Sequence, residues 1–346
     1  MLVLIAVLVT IISCEKEIKF KGEAVQPMMV LNGLISPDST IKVHLSKSKF
    51  FLSNEYGTTH IVNADIEIFI NGISKGKMQY QDRGIYTSTV YPNILDTVEL
   101  VVADTDLPGV RAKVTIPDQS MIISMDTTVK IIEFDDSDFM NYGNSGGEYG
   151  EGWDVAERNA LKDILVTLKF KDPGSIGNFY RLNAKTQYVE YYGDSLSIYE
   201  EYRPITMEGV DNTANNDITG IFDFMVNSQY SHTMTDEFFD GRENSLKFRF
   251  LLANDNYGNW DDYWDDSWGE RPTGGLIRPE PDSTNLFLVV NLQAVSKEMH
   301  YYYKTKASAT EVVEFFSEPV QIFSNVENGV GVLGSYTNNE IRFKLE

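Results

Sequence analysis

From Met28 onward, apolar and polar residues alternate with a period of two. Ile41-Val43-Leu45, Ile66-Ile68-Ile70, Val98-Leu100-Val102 and Ala112-Val114-Ile116 each set three apolar side chains on one face of an extended segment. This pattern predicts strands buried on one side only. Asn71-Gly72 follows one such run and favours the two-residue turn of a hairpin. Pro37-Asp38, Asp82-Arg83-Gly84 and Leu107-Pro108-Gly109 punctuate the others. About seven strands in about 90 residues, with no helical period between them, predict an immunoglobulin-like β-sandwich over residues 27–117, closed by Pro117.

Residues 118–346 read as a larger β-rich domain, with strands expected at 129–134, 164–170, 179–192, 246–252, 286–295 and 341–345. Two long loops interrupt it: 135–152, rich in Gly and Asp, and 254–284, rich in Asp, Trp and Pro. One short helix is expected from near Ser296 to about Ala309, with Met299, Tyr302 and Tyr303 on a common face. No internal repeat or heptad breaks the pattern. The expected fold class is all-β: a sandwich followed by a β-rich domain with long loops and one helix.

Ahead of the first strand the pattern is different. Met1 to Ile12 are almost wholly aliphatic, Ser13 is small, and Cys14, the only cysteine, meets Glu15, Lys16 and Glu17. A greasy core, a small residue and then a thiol reads as a lipoprotein signal peptide over 1–13, with Cys14 as the lipidated residue. No Lys or Arg precedes the run, where a secretory leader carries them. Residues 14–26 are polar enough to be a tether. Beyond the leader, no stretch approaches the about 20 apolar residues of a spanning helix, so one lipid anchor and a water-facing body are expected. A single cysteine leaves no intramolecular disulfide. The net charge of −22 argues against a nucleic-acid partner, which requires a basic groove.

Candidate chemistry is sparse. Gly143-Asn144-Ser145-Gly146-Gly147 matches the nucleophile pattern G-x-S-x-G, but no apolar strand leads into it and no amphipathic helix follows. It reads as a loop. His44, His60, His232 and His300 show no zinc-type spacing, so neither structural zinc nor a redox metal is expected. His44 falls opposite Val43 and Leu45 and reads as a surface residue. The segment 254–268 is the most suggestive. Asp255, Asp261, Asp262, Asp265 and Asp266 are hard oxygen donors on a glycine-containing loop, which suits calcium, though not in EF-hand spacing. Trp260, Trp264 and Trp268, with Tyr257 and Tyr263, form a platform for a ligand or a protein partner. The plainer reading is a solvated acidic loop with tryptophans in the core. Asp135, Asp136 and Asp138 read as a solvated cluster. Tyr188, Tyr191, Tyr192, Tyr199 and Tyr202 are placed along a hairpin, as interface material if exposed and sheet packing if buried.

The tail carries a resemblance. Ser317-Glu318-Pro319-Val320, Ser324-Asn325-Val326-Glu327-Asn328-Gly329, then Gly331, Gly334 and Tyr336, resemble the closing signature of a Bacteroidetes outer-membrane lipoprotein family catalogued as domain of unknown function 4249. The block from Val30 to Pro37 with Val43, Leu45 and Ser46 resembles its opening strand pair. Phe238-Phe239-Asp240-Gly241 and Ser296-Lys297-Glu298 also fit. The resemblance implies an outer-membrane lipoprotein, exposed at the cell surface, partnered with a TonB-dependent transporter barrel. Cys14-Glu15-Lys16-Glu17 resembles an acidic export signal, interrupted by Ile18. The family brings no catalytic residues. Physically, Asn325, Asn328 and Gly329 tolerate positive φ, which predicts strand, tight turn and strand, a structural corner.

Overall fold

The computed structural model describes residues 26–49, 59–104, 106–133, 160–174, 177–208, 231–237, 240–253, 283–311 and 321–345. Nineteen strands and one helix lie among them, which makes the fold all-β. No helix among the described residues is long and apolar enough to cross a membrane.

Two sheets enclose the first core. One is built on β1 (Met29–Ile35), β2 (Lys42–Lys47), β5 (Gln79–Asp82) and β6 (Ile85–Thr87). The other takes β3 (Asp65–Ile70), β4 (Ile73–Lys77), β7 (Thr97–Ala103) and β8 (Val110–Thr115). The alternating residues named above point inward: Ile41, Val43, Leu45, Ile66, Ile68, Val98, Leu100, Ala112, Val114 and Ile116 are all buried in one cluster. Asn71 and Gly72 make the expected hairpin turn, both at positive φ, 52° and 80°. Arg83 and Gly84 repeat it between β5 and β6, at 46° and 78°.

Residues 27–117 do not complete this sandwich. The tail contributes β17 (Val326–Glu327), antiparallel to β8, and β18 (Val330–Thr337), parallel to β1 from Val30↔Val330 to Ile35↔Ser335. Val326 and Leu333 belong to the first core. Alternation reports which face of a strand is buried and carries no information about a partner 300 residues away, so the boundary at Pro117 leaves these two strands out. The turn between them is the predicted one, with Asn328 at φ 60°. Asn325 acts otherwise than expected. Its side chain stands in for a missing stretch of strand: Nδ2 donates to the Leu333 carbonyl (2.9 Å) and the Lys113 carbonyl (3.2 Å), and Oδ1 accepts from Leu333 N (2.9 Å). Gly329 lies at ordinary φ but has no room for a side chain; a Cβ there would come 2.7 Å from both Met29 O and Val110 Cγ1.

The second core lies between β9 (Met121–Glu133), β10 (Ala160–Lys171), β13 (Thr206–Met207) and β15 (Glu243–Ala253) on one side, and β11 (Phe179–Tyr192), β12 (Ser195–Arg203), β14 (Ser231–Thr235), β16 (Ser283–Val295) and β19 (Glu340–Leu345) on the other. Ile164, Val166, Leu168, Phe170, Tyr180, Leu182, Phe248, Phe250, Leu288 and Leu292 fill it. The two halves share a ten-stranded sheet, joined where Ala294 and Val295 of β16 pair with Thr337 and Tyr336 of β18. At this junction Ser296 caps α1 (Lys297–Glu311): its Oγ accepts from Met299 N (3.3 Å) and from Ser335 N (3.2 Å). The cap therefore also ties the helix to β18.

Candidate functional site

The short link from β16 into α1 lays the helix across the outer face of the first sheet. Register fixes that face. Asn32 is opposite both Val332 and His44, and His44 is opposite Ile85, so these four side chains form one row across β18, β1, β2 and β6. Gly334 is in the next row, opposite Leu34, and its missing side chain admits Met299; a Cβ there would be 3.1 Å from the methionine Cβ. Between helix and sheet runs a groove of about 480 Å³, with Asn32, Leu34, Lys42, His44 and Ile85 on the sheet side and Met299, Tyr302 and Tyr303 on the helix side. The expected common face of Met299, Tyr302 and Tyr303 is this wall. Leu34 is 47% exposed on its floor.

The groove's polar groups are held in place. Arg181 Nη1 donates to the Tyr303 hydroxyl (3.2 Å), and the guanidinium lies 5.0 Å from the ring centroid. Burial raises the Tyr303 phenol above its ordinary range, against the opposing pull of Arg181, so it remains a neutral hydroxyl. Lys306 Nζ stands 5.8 Å over the Tyr302 ring. Asn32 Oδ1 accepts from Val332 N (3.2 Å). An apolar, tyrosine-walled trough with a few fixed polar groups suits reversible binding of a small ring or a peptide segment.

On the buried side of α1, His300 stacks on Phe179 with centroids 4.6 Å apart, and its Nδ1 meets no hydrogen-bond partner among the described residues. Burial, helped by Lys304, pushes its pKa down from 6.5 to about 4. Its fold-imposed state is therefore neutral. Between pH 6.5 and 4 the unfolded chain binds the extra proton, so stability is lost as pH falls through that window. The loss expected from this group is about 3 kcal/mol. Denaturant titrations at pH 7 and pH 4 should show a smaller drop for His300→Phe than for the parent chain; an equal drop would refute the assignment.

Among the described residues, three metal-type ligands converge at one other place. Asp172, Asp236 and Asp240 hold carboxylate oxygens within 4.8 Å of one another, at the links from β10 to β11 and from β14 to β15. Asp172 is committed to the chain itself. Its Oδ2 accepts from Gly174 N (2.9 Å) and Gly241 N (2.7 Å), and its Oδ1 from the Tyr180 hydroxyl and Asn178 Nδ2 (3.4 Å). Asp236 Oδ2 accepts from Gly177 N (3.1 Å) and Asn178 N (2.9 Å). Burial, followed by the neighbouring Asp172, holds the Asp236 carboxyl above the usual carboxylate range despite these donors. Such an arrangement knots two connections together. Sequence reasoning misses Asp172 and Asp236; the paired turn signals Asp172-Pro173-Gly174 and Asp240-Gly241 are the trace they leave.

Cys14, the Ser145 pentapeptide, Asp135, Asp136 and Asp138, and the whole aromatic and acidic set (Tyr257, Trp260, Tyr263, Trp264, Trp268, Asp255, Asp261, Asp262, Asp265, Asp266) lie outside the described residues. Their attachment points are described: Glu133, Ala160 and Ala253 close neighbouring strand ends, with Ala160 opposite Glu133 and Leu161 opposite Ala253. The tyrosine hairpin is β11–β12, with Tyr188 opposite Tyr199. Tyr191, Tyr199 and Tyr202 are exposed, together with Leu196 and Ile198. His44 does project from the outer face but is half-buried beside His60.

Two packed β-layers, one crossing helix and an open aromatic groove define a β-sandwich protein with a surface trough. The chain belongs to the family described as "Domain of unknown function (DUF4249)", whose model matches residues 15–342. No curated protein matches it in sequence. Among solved structures it is similar to a carbohydrate-binding module of the β-sandwich superfamily at 10% identity, covering 67% of this chain and 94% of that one, with a TM-score of 0.19. It is also similar to a putative membrane-anchored protein from Corynebacterium diphtheriae at 7% identity, covering 78% and 54%, with a TM-score of 0.20. A β-glucuronidase of Bacteroides uniformis matches at 11% identity over 67% and 30%, with a TM-score of 0.19. Superpositions this loose bear on neither ligand nor partner.

Proposed function

We propose that this chain is a non-enzymatic lipoprotein, anchored in the outer membrane through Cys14 and exposed at the cell surface. It binds a nutrient molecule or serves as accessory partner of a TonB-dependent transporter. The observation that carries the binding role is the groove under α1, where Tyr302, Tyr303 and Met299 face Asn32, Leu34 and His44. Family membership and the thiol at the leader's end support the anchor. A second reading, an adhesion or envelope-assembly role, is favoured by the exposed Tyr191, Leu196, Ile198, Tyr199 and Tyr202 on the β11–β12 hairpin.

Affinity purification of the full chain from detergent-solubilised outer membrane, with partners identified by mass spectrometry, separates the two. Recovery of a transporter barrel, reduced several-fold by Tyr302→Ala with Leu34→Ser, supports the first reading. A barrel never recovered overturns it in favour of the second, whereas recovery lost only on changing Ile198 and Tyr199 would move the contact from the groove to the hairpin. Cys14→Ser should abolish palmitate labelling; retained labelling would remove the anchor.

A further inference from the structure

We propose that His44 and His60 form a two-imidazole site for a zinc ion, a role that goes beyond the groove's proposed binding and does not depend on it. His44 Nε2 lies 3.3 Å from His60 Nδ1, with ring centroids 5.4 Å apart and the rings nearly perpendicular at 84°. Two imidazole nitrogens bound to one tetrahedral zinc, each at about 2.0–2.1 Å, stand about 3.3 Å from each other. Adjacent corners of a square-planar copper site would bring them to about 2.8 Å. The separation is that of two nitrogens on one tetrahedral zinc, and small ring rotations would turn both lone pairs from each other toward the ion.

The backbone beneath is held by strand pairing. His44 sits mid-strand in β2, paired on both sides with Asn32 of β1 and Ile85 of β6. His60 is fixed by its bridge to Ser46, between the bonds Lys47 N to Thr59 O (2.7 Å) and Ile61 N to Leu45 O (3.2 Å). Sequence spacing carries no zinc motif because the strand bridge, not a helix or knuckle, brings the two rings together. In the metal-free pair one ring donates and the other accepts. Zinc binding needs a lone pair on both facing nitrogens, so the shared hydrogen moves to the far nitrogen of its own ring and both imidazoles stay neutral. The described residues add no third His, Cys, Asp or Glu ligand there. The two remaining positions fall to water, or to a donor atom of a molecule in the groove that His44 also lines.

The test uses the untagged full chain. Cobalt(II), the spectroscopic stand-in for zinc, should give the intense visible bands of a four-coordinate ion, bleached by added zinc. Zinc affinity from competition with a chromophoric chelator should fall at least about tenfold in His44→Ala and in His60→Ala, and stay unchanged in His300→Phe and in Asp240→Asn. Independently of any variant, zinc should shift the imidazole ¹⁵N resonances of His44 and His60 in the parent chain and leave those of His300 in place. Unmoved resonances, absent cobalt bands, or affinity lost in Asp240→Asn instead would overturn the proposal.

Discussion

Gly331→Val is expected to be the most damaging single substitution in the first sandwich, costing about 4 kcal/mol or more of stability. Two separate effects add. At φ 115° the backbone adopts a conformation that side chains with a Cβ rarely tolerate, a strain of about 1–3 kcal/mol. The new Cβ would also collide with the Leu31 carbonyl oxygen and lie 2.9 Å from the carbonyl carbon. The parallel ladder of β1 and β18 must then part, and Leu333 leaves its place in the core. Gly72→Ala is the control, since φ there is 80° but nothing lies within 4 Å of the added Cβ. It should cost only about 1 kcal/mol. Urea midpoints of the three proteins measure the difference. Equal midpoints for the two variants would show that the close approach of β1 and β18 does not matter.

The second large effect is expected at Asp172. Its carboxylate is 1% exposed and accepts from four groups on three segments: Gly174 N and Asn178 Nδ2, Tyr180 OH, and Gly241 N. Asp172→Ala strands these donors in a buried corner, at a cost of about 3–5 kcal/mol. Tyr180→Phe removes one donor and keeps the ring in the core, so about 1–2 kcal/mol is expected. The ordering of the two variants in thermal melts is the check. If Tyr180→Phe proved the more damaging, the knot would depend on the ring rather than on the carboxylate.

How much of this was legible beforehand depended on whether the information was local. The hairpin at Asn71-Gly72 was, because two residues of fixed conformational preference decide it. The bounds of β11 were, because Tyr180, Leu182, Ala184 and Thr186 alternate inward within a run of strand-favouring residues. The wall of Met299, Tyr302 and Tyr303 followed from helical spacing. The groove itself did not, since its floor comes from four strands whose order no period encodes. Asn325 showed the same limit: its residue type suggested a turn, whereas its side chain bonds to Leu333 and Lys113. Asp172 leaves no local signal of this role, because two of its four donors are backbone amides and one of these, Gly241 N, lies 69 residues along the chain.

The parallel union of β1 with β18 has a consequence for how this polypeptide matures. β1 keeps one edge unsatisfied until the segment ending at Thr337 is available to pair with it. Early folding therefore stalls at a partly built layer, and closure comes as a late, long-distance event. A protein assembled in this order would keep that layer pliable until β18 had come to rest beside β1.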